Sequence, residues 1–189
     1  MLKIIGGTKK RTKLEVAEKN LRPTTSKKRE SIFSIIESFA KKKEINLYLK
    51  TCVLDLFAGT GSLGLESLSR GAKFCYFYEN NLKNAEILKN NCLKISNPNN
   101  FKIIKENVNI TGFKEIKKKI SLLFIDPPYI FNNFNKLLTT IINADILLDN
   151  SIIIIETHKS TKVELLGSMH KIDERIYGIT KITFILFKY

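Results

Sequence analysis

The sequence predicts an α/β fold in which a mostly parallel sheet ends in an antiparallel hairpin. From residue 51 onward, short apolar runs alternate with segments of helical periodicity, which is typical of parallel strands joined by helices. The apolar runs are nearly continuous, as expected for strands that are covered on both faces. Near the end of the chain, Tyr177 and Gly178 separate two further apolar runs, which predicts a closing hairpin.

The chain begins with a basic segment. Its first 30 residues contain ten Lys or Arg and three Glu, so they carry +7 of the total formal charge of +14. Gly6 and Gly7 predict the turn of a small hairpin. Apolar residues at helical spacing over 32–39 predict a docked helix that is capped near Ser26. We therefore expect a basic hairpin and helix extension over residues 1–40, followed by the main domain at 45–189.

The elements of the main domain follow from the same patterns. Strands are predicted at 52–57, 73–79, 101–105, 121–125 and 151–157, and the closing hairpin at 171–176 and 181–188. Helices are predicted at 64–70, 82–95 and 134–144.

Composition favours a polyanionic partner without deciding the matter. A net charge of +14 and a pI near 9.7 suit nucleic acid, but the excess of Lys over Arg is also typical of an AT-rich genome. The sequence has no apolar stretch long enough to cross a bilayer and no apolar signal-peptide core, so we expect a cytoplasmic protein without membrane contact. The three cysteines have no C-x-x-C spacing, and His158 and His170 have no evident partners, so no metal site is predicted.

A glycine-rich loop follows the first predicted strand. Gly59, Gly61 and Gly64 form G-x-G-x-x-G, and Glu79 lies 20 residues beyond Gly59, as in dinucleotide sites and in S-adenosylmethionine sites alike. Asp55 favours S-adenosylmethionine, because a carboxylate at this loop repels a pyrophosphate and attracts an ammonium group. The alternative is that Asp55 only braces the loop through backbone N–H groups.

A second motif, D-P-P-Y, follows the fourth predicted strand. Asp126 and a proline carbonyl of Pro127 or Pro128 are acceptors for an exocyclic amine, and Tyr129 is a stacking surface for its base. Acceptors on the N–H groups help to rehybridise the delocalised lone pair for in-line attack on a methyl group. The motif therefore points to methylation of an amine on an aromatic ring.

Four segments together resemble the RsmD family of 16S rRNA guanine-N2 methyltransferases, which are class I S-adenosylmethionine-dependent enzymes. They are IIGGTKKRTKL (4–14), LRPTTSKKRESIF (21–33), LDLFAGTGSLGLESLSRGA (54–72) and DPPY (126–129). The resemblance covers nearly the whole chain. It implies a Rossmann-like seven-stranded sheet, S-adenosylmethionine as donor with S-adenosylhomocysteine as product, and a guanine of small-subunit rRNA as acceptor. At Ser26 the chain departs from the family, which usually has an acid there.

The resemblance also implies roles for individual residues, and no metal. The catalytic turn is Asp126, Pro127, Pro128 and Tyr129. The cofactor-binding residues are Asp55, Phe57, Gly59, Thr60, Gly61, Gly64, Glu79, Asn80, Asn107 and Val108. The candidates for contacts with RNA are Lys10, Arg11, Arg22, Thr24 and Arg29.

Three other functions stay open at this point. An adenine-N6 DNA methyltransferase shares D-P-P-Y, although 189 residues leave little room for a target-recognition domain. An NAD-dependent oxidoreductase shares the glycine loop, and a non-catalytic RNA-binding protein shares the basic charge. The expected partner is small-subunit rRNA, free or in a 30S particle, and the expected state is a monomer.

Overall fold

The computed structural model describes residues 2–17, 26–45, 47–48, 51–107 and 112–189. The helices are α1 (Ser26–Lys42), α2 (Ser62–Ser69), α3 (Leu82–Ile95) and α4 (Phe134–Asn143). The strands are β1 (Cys52–Leu56), β2 (Phe74–Tyr78), β3 (Phe101–Ile104), β4 (Ile120–Ile125), β5 (Leu147–His158), β6 (Met169–Tyr177) and β7 (Thr180–Phe187).

The strands form a seven-stranded sheet in the order β3-β2-β1-β4-β5-β7-β6. β1 to β5 are parallel, and β7 runs antiparallel to both β5 and β6. This arrangement confirms the predicted α/β fold with its closing hairpin. The strand order reverses between β1 and β4. In open α/β sheets, ligands bind at the carboxyl ends of the strands where the order reverses, so a site is expected at the carboxyl ends of β1 and β4.

Alternating side chains of the strands build a core on each face of the sheet. One face packs against α1, α2 and α3 and includes Val53, Phe124 and Ile154. The other packs against α4 and includes Leu54 and Ile125. Because both faces are covered, the parallel strands are mostly apolar, with Asp55 in β1 and Lys102 in β3 among the exceptions, which is why the sequence showed them as nearly continuous runs.

The predicted basic hairpin is present at the start of the chain. Lys3 and Lys13 pair in an antiparallel bridge, and apolar residues of the hairpin are buried in the core that α1 and α2 share. Its turn lies against α2: Thr8 N donates to Ser69 O at 2.8 Å, and the Glu66 carboxylate accepts from the Ile5 and Gly6 N–H groups at 2.8 and 2.7 Å. The hairpin is therefore fastened to the helix that follows the glycine loop.

Two strand boundaries differ from the predictions by more than fraying explains. β1 ends at Leu56 because Phe57 has a positive φ of 64° and leaves the strand conformation. β5 begins at Leu147, four residues before the predicted start, because Leu147 pairs with Ile120 across a register shift. Such pairing depends on the neighbouring strand and is not visible in the local sequence.

Candidate active site

The glycine loop connects β1 to α2 at the carboxyl edge of the sheet. Gly61 has a φ of 91° and stands directly before the helix, and Gly59 has a φ of 57°. A Cβ on Gly64 would lie 2.3 Å from the Phe77 ring, so this glycine permits close packing of α2 on the sheet. A Cβ on Gly59 would meet nothing within 4 Å. The space beside Gly59 suits a ligand that approaches the backbone closely.

Glu79, directly after β2, joins the loop to the neighbouring strand. Its Oε2 accepts from Gly59 N and its Oε1 from Asn81 N, both at 2.7 Å. Burial raises the pKa of the Glu79 carboxyl, and the two backbone hydrogen bonds oppose that rise. Each carboxylate oxygen has a second lone pair, so the predicted contact with ribose hydroxyls is compatible with these bonds.

Asp55 lies beneath the loop and is only 2% exposed. Its Oδ2 accepts from Gly64 N at 2.8 Å, which is the bracing contact considered above as the alternative to ligand binding. Burial raises the pKa of Asp55 to about 7; the bond from Gly64 opposes the rise, and the charges of Asp126 and Glu79 add to it. Three carboxyl groups thus lie close enough to influence one another at the carboxyl ends of β1, β2 and β4, an arrangement that suits a cationic ligand.

The D-P-P-Y turn begins at the residue after β4. Pro128 O accepts from Phe131 N at 2.8 Å, so one lone pair of this carbonyl is used by the turn. Phe131 in turn meets the Phe57 ring edge-on at 5.2 Å between centroids. The turn is therefore packed against the start of the glycine loop, as the topology predicts for β1 and β4.

Tyr129 is 49% exposed and is oriented by two contacts from the other side of the site. Its hydroxyl lies 2.8 Å from Thr180 Oγ1, and its ring meets His158 edge-on at 6.1 Å. The sequence did not single out Thr180, and it showed no evident partner for His158. These contacts hold the Tyr129 ring half-open to solvent, where a base can stack on it.

Comparisons with known proteins identify the family. A family model described as Conserved hypothetical protein 95 matches residues 2–186. Ribosomal RNA small subunit methyltransferase D of Buchnera aphidicola subsp. Acyrthosiphon pisum is 34% identical over 161 residues, which cover 85% of this chain and 80% of that protein. The chain belongs to the RsmD family. A protein of the same name from Haemophilus influenzae is 29% identical over 181 residues, 94% and 90% of the two chains.

Solved structures share the fold of this RsmD-family chain. The yhhF protein of Escherichia coli superposes with a TM-score of 0.83 at 23% identity and covers 99% of this chain and 98% of its own. SMU.776, solved in complex with SAH, has a TM-score of 0.60 at 13% identity and covers 74% of this chain and 46% of its own. At these identities the likeness concerns the fold alone.

The structure corrects one predicted RNA contact of this family member. Arg29 is fully buried in the core, and its Nη2 donates to Lys3 O at 2.7 Å. Burial lowers the pKa of Arg29, and the charge of Glu66 opposes this. As a structural cation that ties α1 to the hairpin, Arg29 has no surface to offer a phosphate, so the prediction for this residue is wrong.

The other predicted RNA contacts divide into two groups. Lys10 and Arg11 are exposed at the hairpin turn, next to the last turn of α2 and so at the far end of that helix from the glycine loop. Arg22 and Thr24 lie outside the described residues.

Of the predicted cofactor residues, Val108 also lies outside the described part of the chain. Asn80 and Asn107 are exposed at the ends of β2 and β3, on the same edge as Glu79.

Asn91 is a site residue that sequence reasoning missed. It is fully buried on α3, and its amide nitrogen donates to Thr60 O at 3.1 Å and to Glu15 O at 2.9 Å. Its Oδ1 accepts from Glu15 N at 2.8 Å. One side chain therefore joins the glycine loop to the end of the hairpin, across sequence separations of 31 and 76 residues.

Metal clusters and membrane-spanning helices are both absent from the described part of the chain. Among the described residues, no group of three or more His, Cys, Asp or Glu side chains is arranged to hold a metal ion. No helix in the same part of the chain combines the length and apolarity that a membrane span needs.

Proposed function

We propose that this protein transfers a methyl group from S-adenosylmethionine to the N2 amine of a guanine in small-subunit rRNA. The observation that carries the proposal is the meeting of the D-P-P-Y turn with the glycine loop at the β1/β4 edge, above three carboxyl groups. Family membership adds the substrate class, because relatives bear the name ribosomal RNA small subunit methyltransferase D.

The residues of the glycine loop fit the proposed cofactor. The open space beside Gly59 admits close approach to the backbone, and Glu79 reaches the same edge from β2. Asp55 and Glu79 place carboxyl groups at the edge where a sulfonium and an ammonium would lie. When bound, S-adenosylmethionine supplies an electrophilic methyl group.

The D-P-P-Y turn positions the acceptor amine. Pro128 O already accepts one hydrogen bond from Phe131 N, and we assign Pro127 O, with Asp126, to accept from the amine. These two acceptors orient the nitrogen lone pair toward the methyl group and stabilise the positive charge that develops on the amine. The donor would leave as the neutral thioether S-adenosylhomocysteine, and Asp126 would accept the proton that the methylated amine loses. Tyr129 stacks on a base that has been turned out of its helix or taken from a loop.

The direct test is methyl transfer in vitro. We would incubate the protein with labelled S-adenosylmethionine and small ribosomal subunits from cells that lack this gene, then digest the RNA to nucleosides. The proposal predicts label in N2-methylguanosine, and mapping then identifies the guanine. Label in N6-methyladenosine, or no label in N2-methylguanosine with a protein that binds S-adenosylmethionine, would contradict it.

Replacing Asp126 tests the division of roles within the site. Asp126→Ala removes one acceptor for the amine, so we expect kcat to fall by at least about 100-fold, with the Kd for S-adenosylmethionine changed by less than about threefold. Single-turnover transfer and calorimetric titration measure the two quantities. Asp149→Ala is the matched control, because Asp149 is an exposed aspartate near the start of β5, at the edge of the sheet opposite the site. A loss of cofactor binding in Asp126→Ala would assign this residue to the cofactor instead.

A further inference from the structure

An ion pair outside the predicted site lies beside the D-P-P-Y turn. Lys28 Nζ of α1 is 2.5 Å from Glu156 Oε1 near the end of β5. The two side chains are 14% and 9% exposed, and among the described residues Glu156 Oε2 has no hydrogen-bond partner. Burying a carboxylate with one oxygen unsatisfied lowers stability, and a buried ion pair is weak as a stabilising device. The ion pair lies at the carboxyl edge of the sheet, where ligands bind, and this position calls for a functional explanation.

Strand register places this pair next to Asp126. Ile125 of β4 is the register partner of Ile155 in β5, so Asp126 and Glu156 are the next two positions on adjacent parallel strands. The alternation along both strands puts them on the face that carries Phe124 and Ile154, the face that α1 covers. Glu156 contacts Lys28 of α1, which is consistent with its side chain lying on the face that α1 covers. Asp126 and Glu156 thus lie on adjacent strands at this edge, and Lys28 contacts Glu156 from α1.

The order of these charges complements the Watson–Crick edge of guanine. That edge presents two donors and then an acceptor: the N2 amine, N1–H and O6. Two carboxylates followed by an ammonium are the matching sequence of two acceptors and a donor. Adenine presents an acceptor at N1 and would leave Glu156 facing another acceptor.

We infer that Glu156 and Lys28 select guanine, with Glu156 accepting from N1–H and Lys28 donating to O6 while Asp126 holds the N2 amine. This inference rests on the proposed function and adds the source of its base specificity. It gives the unpaired Glu156 Oε2 a partner that arrives with the substrate. A site built around such a hydrogen bond discriminates strongly, because the wrong base leaves a buried polar group unpaired.

The test uses 2-aminopurine, which keeps the N2 amine but has an acceptor at N1 and no oxygen at position 6. We would place it at the target position of an rRNA fragment and compare its kcat/KM for methyl transfer with that of guanine. The wild type is expected to prefer guanine by at least about 1000-fold. In Glu156→Gln the amide can donate to N1, so we expect the preference to fall below about 10-fold.

The controls separate this inference from the proposed function. Glu174→Gln, an exposed glutamate on β6, should keep the wild-type preference, and the Kd for S-adenosylmethionine should match in all variants. Should Glu156→Gln not fold, Lys28→Gln, which weakens the contact with O6, must lower the same ratio. If the wild type methylates guanine but the folded variants keep the wild-type ratio of kcat/KM for guanine over 2-aminopurine, only this inference is overturned. Absence of N2-methylguanosine with the wild type would contradict the proposed function itself.

Discussion

The carboxyl groups under the glycine loop are each held in place by backbone N–H donors. Asp55 accepts from Gly64 N, and Glu79 accepts from Gly59 N and Asn81 N. These bonds shape the loop, while burial keeps both acids harder to ionise than in water. The same residues therefore form the backbone turn and set the charge of the site.

Asp55 should make stability depend on pH near neutrality. Its pKa is raised from 3.8 to about 7, so the folded protein holds a proton in a range where the unfolded chain has lost it. Its contribution to stability is therefore complete below about pH 4 and is lost as the pH rises through 7. Relative to Asp55→Asn, which keeps an oxygen for Gly64 N, the wild type should lose about 1 to 3 kcal/mol between pH 5 and pH 8.

Urea unfolding of the wild type and Asp55→Asn at pH 5 and pH 8 gives the change in the free energy of unfolding for each protein. Contributions from the other titrating groups are the same in both proteins and cancel in the difference. An equal pH dependence in the wild type and Asp55→Asn would mean that Asp55 ionises with an ordinary pKa in the folded state.

Among the elements, the N-terminal hairpin and α2 depend on each other. The Glu66 carboxylate, fully buried on α2, accepts from two hairpin N–H groups and from Arg70 Nε at 2.9 Å. Asn91 makes the corresponding connection from α3 to the end of the hairpin. The hairpin is thus held at both ends by buried polar side chains, and one of them, Asn91, also bonds the glycine loop at Thr60 O.

Gly7 should be the most sensitive position of this contact. It has a φ of 74°, and a Cβ there would lie 1.9 Å from Ser69 O, which is backbone and cannot move alone. We expect Gly7→Ala to lower the free energy of unfolding by about 2 kcal/mol or more. Gly167→Ala is the matched control, since its Cβ would meet nothing within 4 Å, and it should change stability by less than about 0.5 kcal/mol.

Thermal and urea unfolding of the two variants give the comparison. Equal stability of Gly7→Ala and the wild type would show that the hairpin is not fastened to α2 in solution as it is in the structure.

On the scale of the whole molecule, the +14 charge has two explanations that the structure helps to separate. If composition alone accounts for it, basic residues on every surface contribute equally to RNA binding. If the extension binds RNA, the hairpin should contribute more than the opposite face. Lys9, Lys10 and Lys13 are exposed on the hairpin, and Lys114, Lys117 and Lys118 are exposed on the α4 side.

Salt dependence of RNA binding measures the contribution of each group. Replacing the three hairpin lysines with Gln should reduce the slope of log K against log salt by about 2, since each phosphate contact contributes about 0.7 to 0.9. The same change at the other three lysines should leave the slope within about 0.5 of the wild type. Equal effects of the two triple variants would assign the charge to composition.

Much of the fold and the outline of the site were predictable because they depend on local patterns. Strands that are buried on both faces are mostly apolar, and glycines with positive φ favour places where the chain turns sharply. The rule that ligands bind at the carboxyl edge then placed Gly59 and Asp126 in one site. The predictions failed where a residue's environment comes from distant parts of the chain, as for Arg29, whose partner Lys3 O lies 26 residues away.

The sequence by itself determined the strand and helix order, the glycine loop and the D-P-P-Y turn, since backbone conformation and periodicity are local properties. Only the tertiary structure decided that Arg29 is a core cation, that Asn91 joins the hairpin to the loop, and that Lys28 pairs with Glu156 from 128 residues away. Burial and pairing of polar groups are decided by whatever the fold brings alongside them. The same charged side chain can therefore be a surface group in one fold and part of a binding site in another.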